Sequence, residues 1–351
     1  ANKAVTIVNI DRTAPTINAY AGASLYSDPS FKSGTNSIKI YNNAGGGTVT
    51  HTRKAMSDNP EGSGYGVEIK TTGKASPGHG GFYFATTASA NKEFITRIVA
   101  KIPTGYTINW ATNATGTGST NGWLTSQAGT GKWQEYIFRV KCGSSGSFNN
   151  TNFFYLTGGS TATASAPVTW QLGYAQVIDV TKWSTSKNIM FAGQDSQSGI
   201  VAYGINQSST TQPTWTSVTT TANLGKITGA YTATGTYYVW MKDAVGNVSK
   251  KAVTITNIDR VLPTVTISPN GGTFTKPTTG NAVLKVGLKA ADTGGSGLNL
   301  LQYAWSTSKT TEPTSWTTFT NNSTITKNDI TKAGTWYLWT KVTDVAGNRA
   351  S

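Results

Sequence analysis

Short runs in which apolar and polar residues alternate recur along the chain. "TYYVWMK" (236–242) sets Tyr238 and Trp240 on one side, and "TWYLWTK" (335–341) does the same with Tyr337 and Trp339. A period of two predicts strands, because successive side chains point to opposite faces. Clusters of Gly, Asn, Pro and Ser punctuate these runs, and no long stretch carries apolar residues at helical spacing. Hydrophobic residues make up 37% and charged residues only 13%, so Thr, Ser, Asn and Gly must supply most of the polar surface. Thr is β-branched, and Gly and Asn tolerate positive φ, which suits strands and turns. The expectation is an all-β chain, and 351 residues call for two or three domains.

The boundaries come from repetition. "AVTIVNIDRTAPT" (4–16) returns as "AVTITNIDRVLPT" (252–264), 248 positions later. The C-terminal half holds a second repeat. "GQDSQSGIVAYGINQS" and "GTYYVWMKDAVGN" match "AADTGGSGLNLLQYAWSTS" and "GTWYLWTKVTDVAGN", pairing Asp195 with Asp292, Gly235 with Gly334 and Asn247 with Asn348 at offsets of 97, 99 and 101. Near one hundred residues is the size of a seven-stranded sandwich. In "DAVGN" and "DVAGN" the carboxylate can accept local N–H groups while Gly takes positive φ. The Ile-Asp-Arg phrase followed by Pro marks a junction, since Pro has no N–H to extend a ladder.

This pattern, over residues 182–351 and the opening phrase, resembles the bacterial Ig-like domains found in tandem on surface proteins. The resemblance implies spacer modules and an extracellular or cell-surface location in a bacterium. The expected divisions are 1–18, a last strand and junction; 19–181, a separate module; 182–263 and 264–351, two Ig-like domains. Thr16–Asn18 imitates Thr264–Thr266, and "VTKWSTSKN" (180–188) imitates "FTKPTTGN" (274–281). Two arrangements follow: the module is inserted into an Ig-like domain, or it stands beside one as a bead on a string. A backbone ladder between residues 14–18 and the domain after residue 182 is required by the first.

Residues 19–181 hold at least eight strand candidates bounded by turn residues, which predicts a two-sheet jelly roll. The stretches "DPSFKSG", "YGVEIKTTG", "GKWQEYIFRV" and "WQLGYAQVIDV", in that order, resemble a carbohydrate-binding module of the galactose-binding-like jelly-roll type. The resemblance implies a polysaccharide or other glycan as partner. It also implies a structural calcium held by an acidic residue near the start and an Asp near the end. Asp28 and Asp179 remain for that role, while Lys32 stands where the family has Glu.

A sugar presents an apolar face and a rim of hydroxyls, so its site needs a flat ring and amide or charged partners. Trp110 and Trp123 flank a Gly/Thr/Asn-rich loop, with Asn113 and Asn121 beside them. His79 and Tyr83 lie in "SPGHGGFYF", and Arg97 shares a strand face with Lys101. The competing reading of each is structural: rings capping the sandwich and a solvated basic face. Trp133, Trp170 and the single cysteine, Cys142, read as core.

Charge narrows the partners. The formal net charge is +14, with 29 basic and 15 acidic residues. The basic residues are dispersed, without the arginine clusters or aromatic interleaving of a nucleic-acid footprint. No signal peptide, transmembrane run or anchor motif is present, and the chain reads as a segment of something longer. Catalysis is not expected, because no motif brings together two carboxylates, a Ser-His-Asp set or a zinc-binding set. The main alternative to glycan binding is a structural or adhesive segment of a surface adhesin or phage fibre.

Overall fold

The computed structural model describes residues 10–35, 38–42, 47–73, 80–88, 90–111, 120–123, 127–145, 148–149, 153–273, 282–330 and 334–351. Among these residues there is no helix, and every paired strand is antiparallel apart from one isolated bridge. Backbone contacts divide the chain into two compact units: Ala1–Thr181 with Lys187–Ile255, and Lys182–Ser186 with Thr256–Ser351.

The first unit opens with β1 (Thr16–Ser24), β2 (Lys39–Tyr41), β3 (Thr48–Ala55) and β4 (Tyr65–Thr72). There follow β5 (Gly81–Tyr83), β6 (Thr87–Ala88), β7 (Glu93–Lys101), β8 (Tyr106–Ala111) and β9 (Thr120–Trp123). Next come β10 (Trp133–Lys141), β11 (Phe148–Asn149), β12 (Phe153–Gly158) and β13 (Val168–Asp179). It closes with β14 (Asn188–Gln194), β15 (Ile200–Asn206), β16 (Thr216–Thr221), β17 (Asn223–Ile227), β18 (Gly235–Asp243) and β19 (Val248–Ile255).

One long sheet runs β17-β14-β1-β13-β7-β10-β9, with β4 and then β3 branching from β13. A second sheet, β2-β5-β12-β8, faces part of it, and a third, β16-β15-β18-β19, belongs to the repeated half. The ladder required by an insertion is present: Thr16 pairs with Gln194, Ile17 with Gly193 and Asn18 with Ala192. The far end of the same strand pairs Ala23 with Asp179. The chain thus leaves β1, builds the middle module, and returns to lay β14 against β1.

The core of the middle module is aromatic and aliphatic. Phe82, Phe84, Phe154, Trp170, Ile98, Phe138 and Tyr136 are all buried in one cluster. Cys142 and Trp170 lie inside, as their strand patterns predict, and Trp133 is half-buried. Strand β7 is buried on both faces except at its ends. Phe94, Ile98 and Ala100 belong to the main cluster, whereas Ile95 joins Ile137, Ile178, Met190 and Ala192 in another. The second cluster reaches across to β14, so the outward face of the module's large sheet is covered by the repeated half.

The second unit contains β20 (Thr264–Ser268), β21 (Ala282–Ala291), β22 (Leu298–Ser306), β23 (Thr317–Thr318), β24 (Ser323–Ile330), β25 (Tyr337–Asp344) and β26 (Arg349–Ala350). Its sheets are β20-β21-β24 and β23-β22-β25-β26. The first unit repeats this order as β1-β14-β17 and β16-β15-β18-β19. Strand β1 therefore does in the first unit what β20 does in the second. Residues 182–186 fall with the second unit rather than at the start of the sandwich before it, because Asn257 and Asp259 hydrogen-bond to Ser184 through their backbones. The stretch 274–281 lies outside the described residues.

The repeated turns share one wiring. Asp243 Oδ1 accepts the N–H groups of Val245 and Asn247, and Asp344 Oδ1 those of Gly347 and Asn348. The Asn247 amide donates to Asp243 Oδ2 at 2.7 Å and to the Asp11 carbonyl at 3.4 Å. The Asn348 amide likewise reaches Asp344 Oδ2 at 2.6 Å and the Asp259 carbonyl at 3.1 Å. The turn Asn thus fastens the Ile-Asp-Arg phrase to the sandwich that follows it.

Candidate functional site

The small sheet of the middle module carries aromatic residues on both faces. Register places Phe82, Phe154 and Trp110 side by side, and Leu156 beside Ile108. These residues face the core, where Phe82, Phe154, Leu156 and Ile108 are fully buried and Trp110 packs at the margin. The alternate positions, Tyr41, Tyr83, Phe153 and Tyr155, must then point the other way. All four are half-buried.

These four rings touch. Tyr41 lies 4.8 Å from Phe153 and 5.8 Å from Tyr155, and Tyr83 lies 5.3 Å from Phe153 (centroid to centroid). Gly81 sits between Tyr41 and Tyr155 in register, and its missing side chain lets Tyr41 reach across. A Cβ at Gly81 would stand 2.0 Å from the Phe154 carbonyl oxygen, so the strands approach too closely for any other residue. The polar rim comes from Lys39, which is exposed, and from Asn109, whose amide donates to the Thr157 hydroxyl. Burial raises the Tyr41 phenol's pKa, and Tyr155 beside it adds to that. The result is a neutral aromatic patch with amide, hydroxyl and ammonium groups at its edge.

Of the residues proposed from sequence, Tyr83 is on this patch. Trp110 is not: it sits on the opposite face of the same sheet, 6.0 Å from Phe138, as part of the core margin. Trp123 and Asn121 lie on β9, opposite Phe138 and Val140 of β10, and their side chains fall outside the described residues. Asn113 and His79 also fall outside them.

Arg97 corrects the reading of a basic binding face. Its side chain is fully buried and makes two hydrogen bonds to Glu61, at 2.8 and 3.1 Å, and one to Glu135 at 3.0 Å. The Tyr174 ring covers the guanidinium at 4.7 Å. The face holding Arg97 is covered, whereas Lys101, on the same face near the strand end, meets Asp58 at 3.0 Å in the open. Opposing forces act on the carboxylates. Burial pushes Glu135 up and Arg97 only partly offsets it. Burial also raises Glu61, but its hydrogen bonds to Arg97, together with the positive charges of Arg97 and Lys226, outweigh it and hold the group below its ordinary value.

The two acids expected to hold calcium act as turn acceptors instead. Asp28 receives the N–H groups of Lys32, Ser33 and Gly34 and the Ser33 hydroxyl. Asp179 receives the N–H and hydroxyl of Thr181, and Lys92 stands 3.9 Å from its other oxygen. Donors thus engage both oxygens of Asp28, and one oxygen of Asp179 with an ammonium beside the other.

No protein-family model and no curated protein matches this chain. The site is therefore read from its own geometry. Tyr41, Phe153 and Tyr155 escaped the sequence reading because their strands span only three to six residues. In "FFY" the alternation alone does not say which ring faces out.

Proposed function

We propose that the middle module is a non-catalytic glycan-binding domain, carried on bacterial Ig-like spacers of an extracellular or cell-surface protein. The observation that supports this is the contiguous outward patch of Tyr41, Tyr83, Phe153 and Tyr155 with a polar rim. Stacking a sugar's C–H face on one ring removes on the order of 50 Å² from water, about 1 kcal/mol at ~25 cal/mol per Å². That is roughly a fivefold gain in affinity for each ring engaged. Such a site is weak alone and gains by repetition along a surface.

A glycan array probed with the whole chain and its Tyr83→Ala and Tyr155→Ala variants tests the reading. Binding of a defined glycan that both substitutions weaken supports it. Absence of glycan binding, or binding indifferent to both changes, overturns it in favour of a structural or adhesive segment, for which the patch is a protein contact.

A further inference from the structure

We propose that the groove between β10 of the middle module and the β16–β17 corner of the sandwich that follows is a second saccharide site, built for an uncharged sugar chain. It lies on the outward face of the module's large sheet, on the other side of the core from the tyrosine patch, and does not rest on that patch. The groove holds about 370 Å³, a volume in the range of small-molecule sites. The module contributes Trp133 and Pro60, and the sandwich contributes Thr219, Asn223, Leu224 and Lys226.

The groove exists because a cover stops short. On β10, Tyr136 and Phe138 point into the module's core, so Trp133, Glu135 and Ile137 point away from it. Ile137 is buried with Met190 and Ala192 of β14. Glu135 meets Gly225 on β17, which ends the long sheet on that side. Trp133, one step further along β10, is left half-buried at the rim. The second unit has the same pair of sheets without an inserted module, so it lacks the β10 wall.

The polar groups set the chemistry of the ligand. Asn223 Oδ1 accepts the Gln194 amide at 3.2 Å, which leaves the Asn223 amide N–H groups to donate. Thr219 is exposed, and its hydroxyl can donate or accept. Lys226 is half-buried and forms no ion pair among the described residues. Its charge still acts on Glu61 and Glu135. Around the groove two cations, Arg97 and Lys226, thus stand against two acids. A strongly charged ligand of either sign meets no complementary field there.

An extended peptide would need an open strand edge. Arg97 already reaches the Gly225 carbonyl in the middle of β17 at 3.1 Å, which blocks strand addition at that point. A sugar ring needs no ladder. Its C–H face covers Trp133 and Leu224, and its hydroxyls meet Asn223, Thr219 and Lys226. Asn223 also borders a hollow of about 330 Å³ with Thr13 and Gln197, which gives room for a neighbouring sugar unit.

The test uses the whole chain carrying Tyr83→Ala and Tyr155→Ala, so that the patch is removed, on an array of neutral and acidic oligosaccharides. A neutral oligosaccharide should still bind. Thr219→Trp, added at an exposed position, plugs the groove; it should weaken that binding about tenfold or more in calorimetric titration and leave the melting temperature unchanged. Trp133→Ala should weaken it to a similar degree. A hexapeptide of alternating Thr and Val should not bind. Binding by the wild type that the two tyrosine changes abolish supports the patch and overturns the groove. No neutral oligosaccharide bound, or full affinity in the Thr219→Trp chain, also overturns it. Binding of the hexapeptide alone, lost in Thr219→Trp, overturns it in favour of a peptide partner. Equal binding by the wild type and the patch-less chain, lost in Thr219→Trp, supports the groove and overturns the patch.

Discussion

The guanidinium of Arg97, in the middle of β7, donates to the backbone oxygen of Gly225 on β17 at 3.1 Å. These residues are 128 positions apart, and the bond joins the middle module to the repeated half within the first unit. Gly225 is a glycine for the same reason: a Cβ there would stand 1.8 Å from Glu135 Oε2.

Arg97→Met should therefore destabilise the first unit by about 3–5 kcal/mol, since it strands two carboxylates in the interior. Adding Glu61→Gln and Glu135→Gln should recover much of the loss, because no unpaired charge remains. Urea unfolding followed by tryptophan fluorescence measures both steps. Equal stability of Arg97→Met and the wild type would contradict the buried network.

Gly225→Ala should cost ~1–3 kcal/mol through overpacking against Glu135. Gly81→Ala should cost a similar amount for a different reason, its clash with the Phe154 backbone. Glu135→Ala should relieve the first substitution and leave the second unchanged, a comparison read from the same unfolding curves.

His51 gives a pH dependence of definite sign. Its Nε2 lies 2.9 Å from the Gly81 carbonyl oxygen, and burial holds its pKa below the ordinary histidine value. In the unfolded chain the ring takes a proton as pH falls through about 6.5; in the folded chain it does so only at lower pH. Across that interval the unfolded state binds more protons, so stability declines as pH drops below ~6.5 and is unaffected well above it. The urea midpoint of the wild type should fall more than that of His51→Gln between about pH 7.5 and about pH 5.5.

Asn247→Ala should cost ~1–3 kcal/mol, because the amide bridges Asp243 Oδ2 and the Asp11 carbonyl. Asn348→Ala should act equivalently in the second unit through Asp344 and Asp259. If each unit melts separately in calorimetry, each substitution should lower a different transition.

The repeats were legible because their strands are long and amphipathic: β18 and β25 show their alternation directly. The pairing of β1 with β14 belonged to one of the two arrangements the sequence allowed, since Thr16–Asn18 matches Thr264–Thr266 of β20 in the second unit, and the ladder itself decides for it. Arg97 could not be placed correctly. Alternation puts Arg97 and Lys101 on one face of β7, but says nothing of whether that face is wet. The group that seals it, at Gly225, lies far along the chain. Trp110 failed for a related reason, as a ring beside a polar loop looks the same whether it faces solvent or core.

Strand β1 receives the chain at its start and is clamped along seven residue pairs to β14, where the chain comes back. Thr16 and Gln194 stand opposite each other at one end of that ladder, so tension applied across these two residues opens the pairs from that end. The 163 residues between Ser24 and Asn188 branch off at the opposite end of the ladder, the last part of it that such a load would reach.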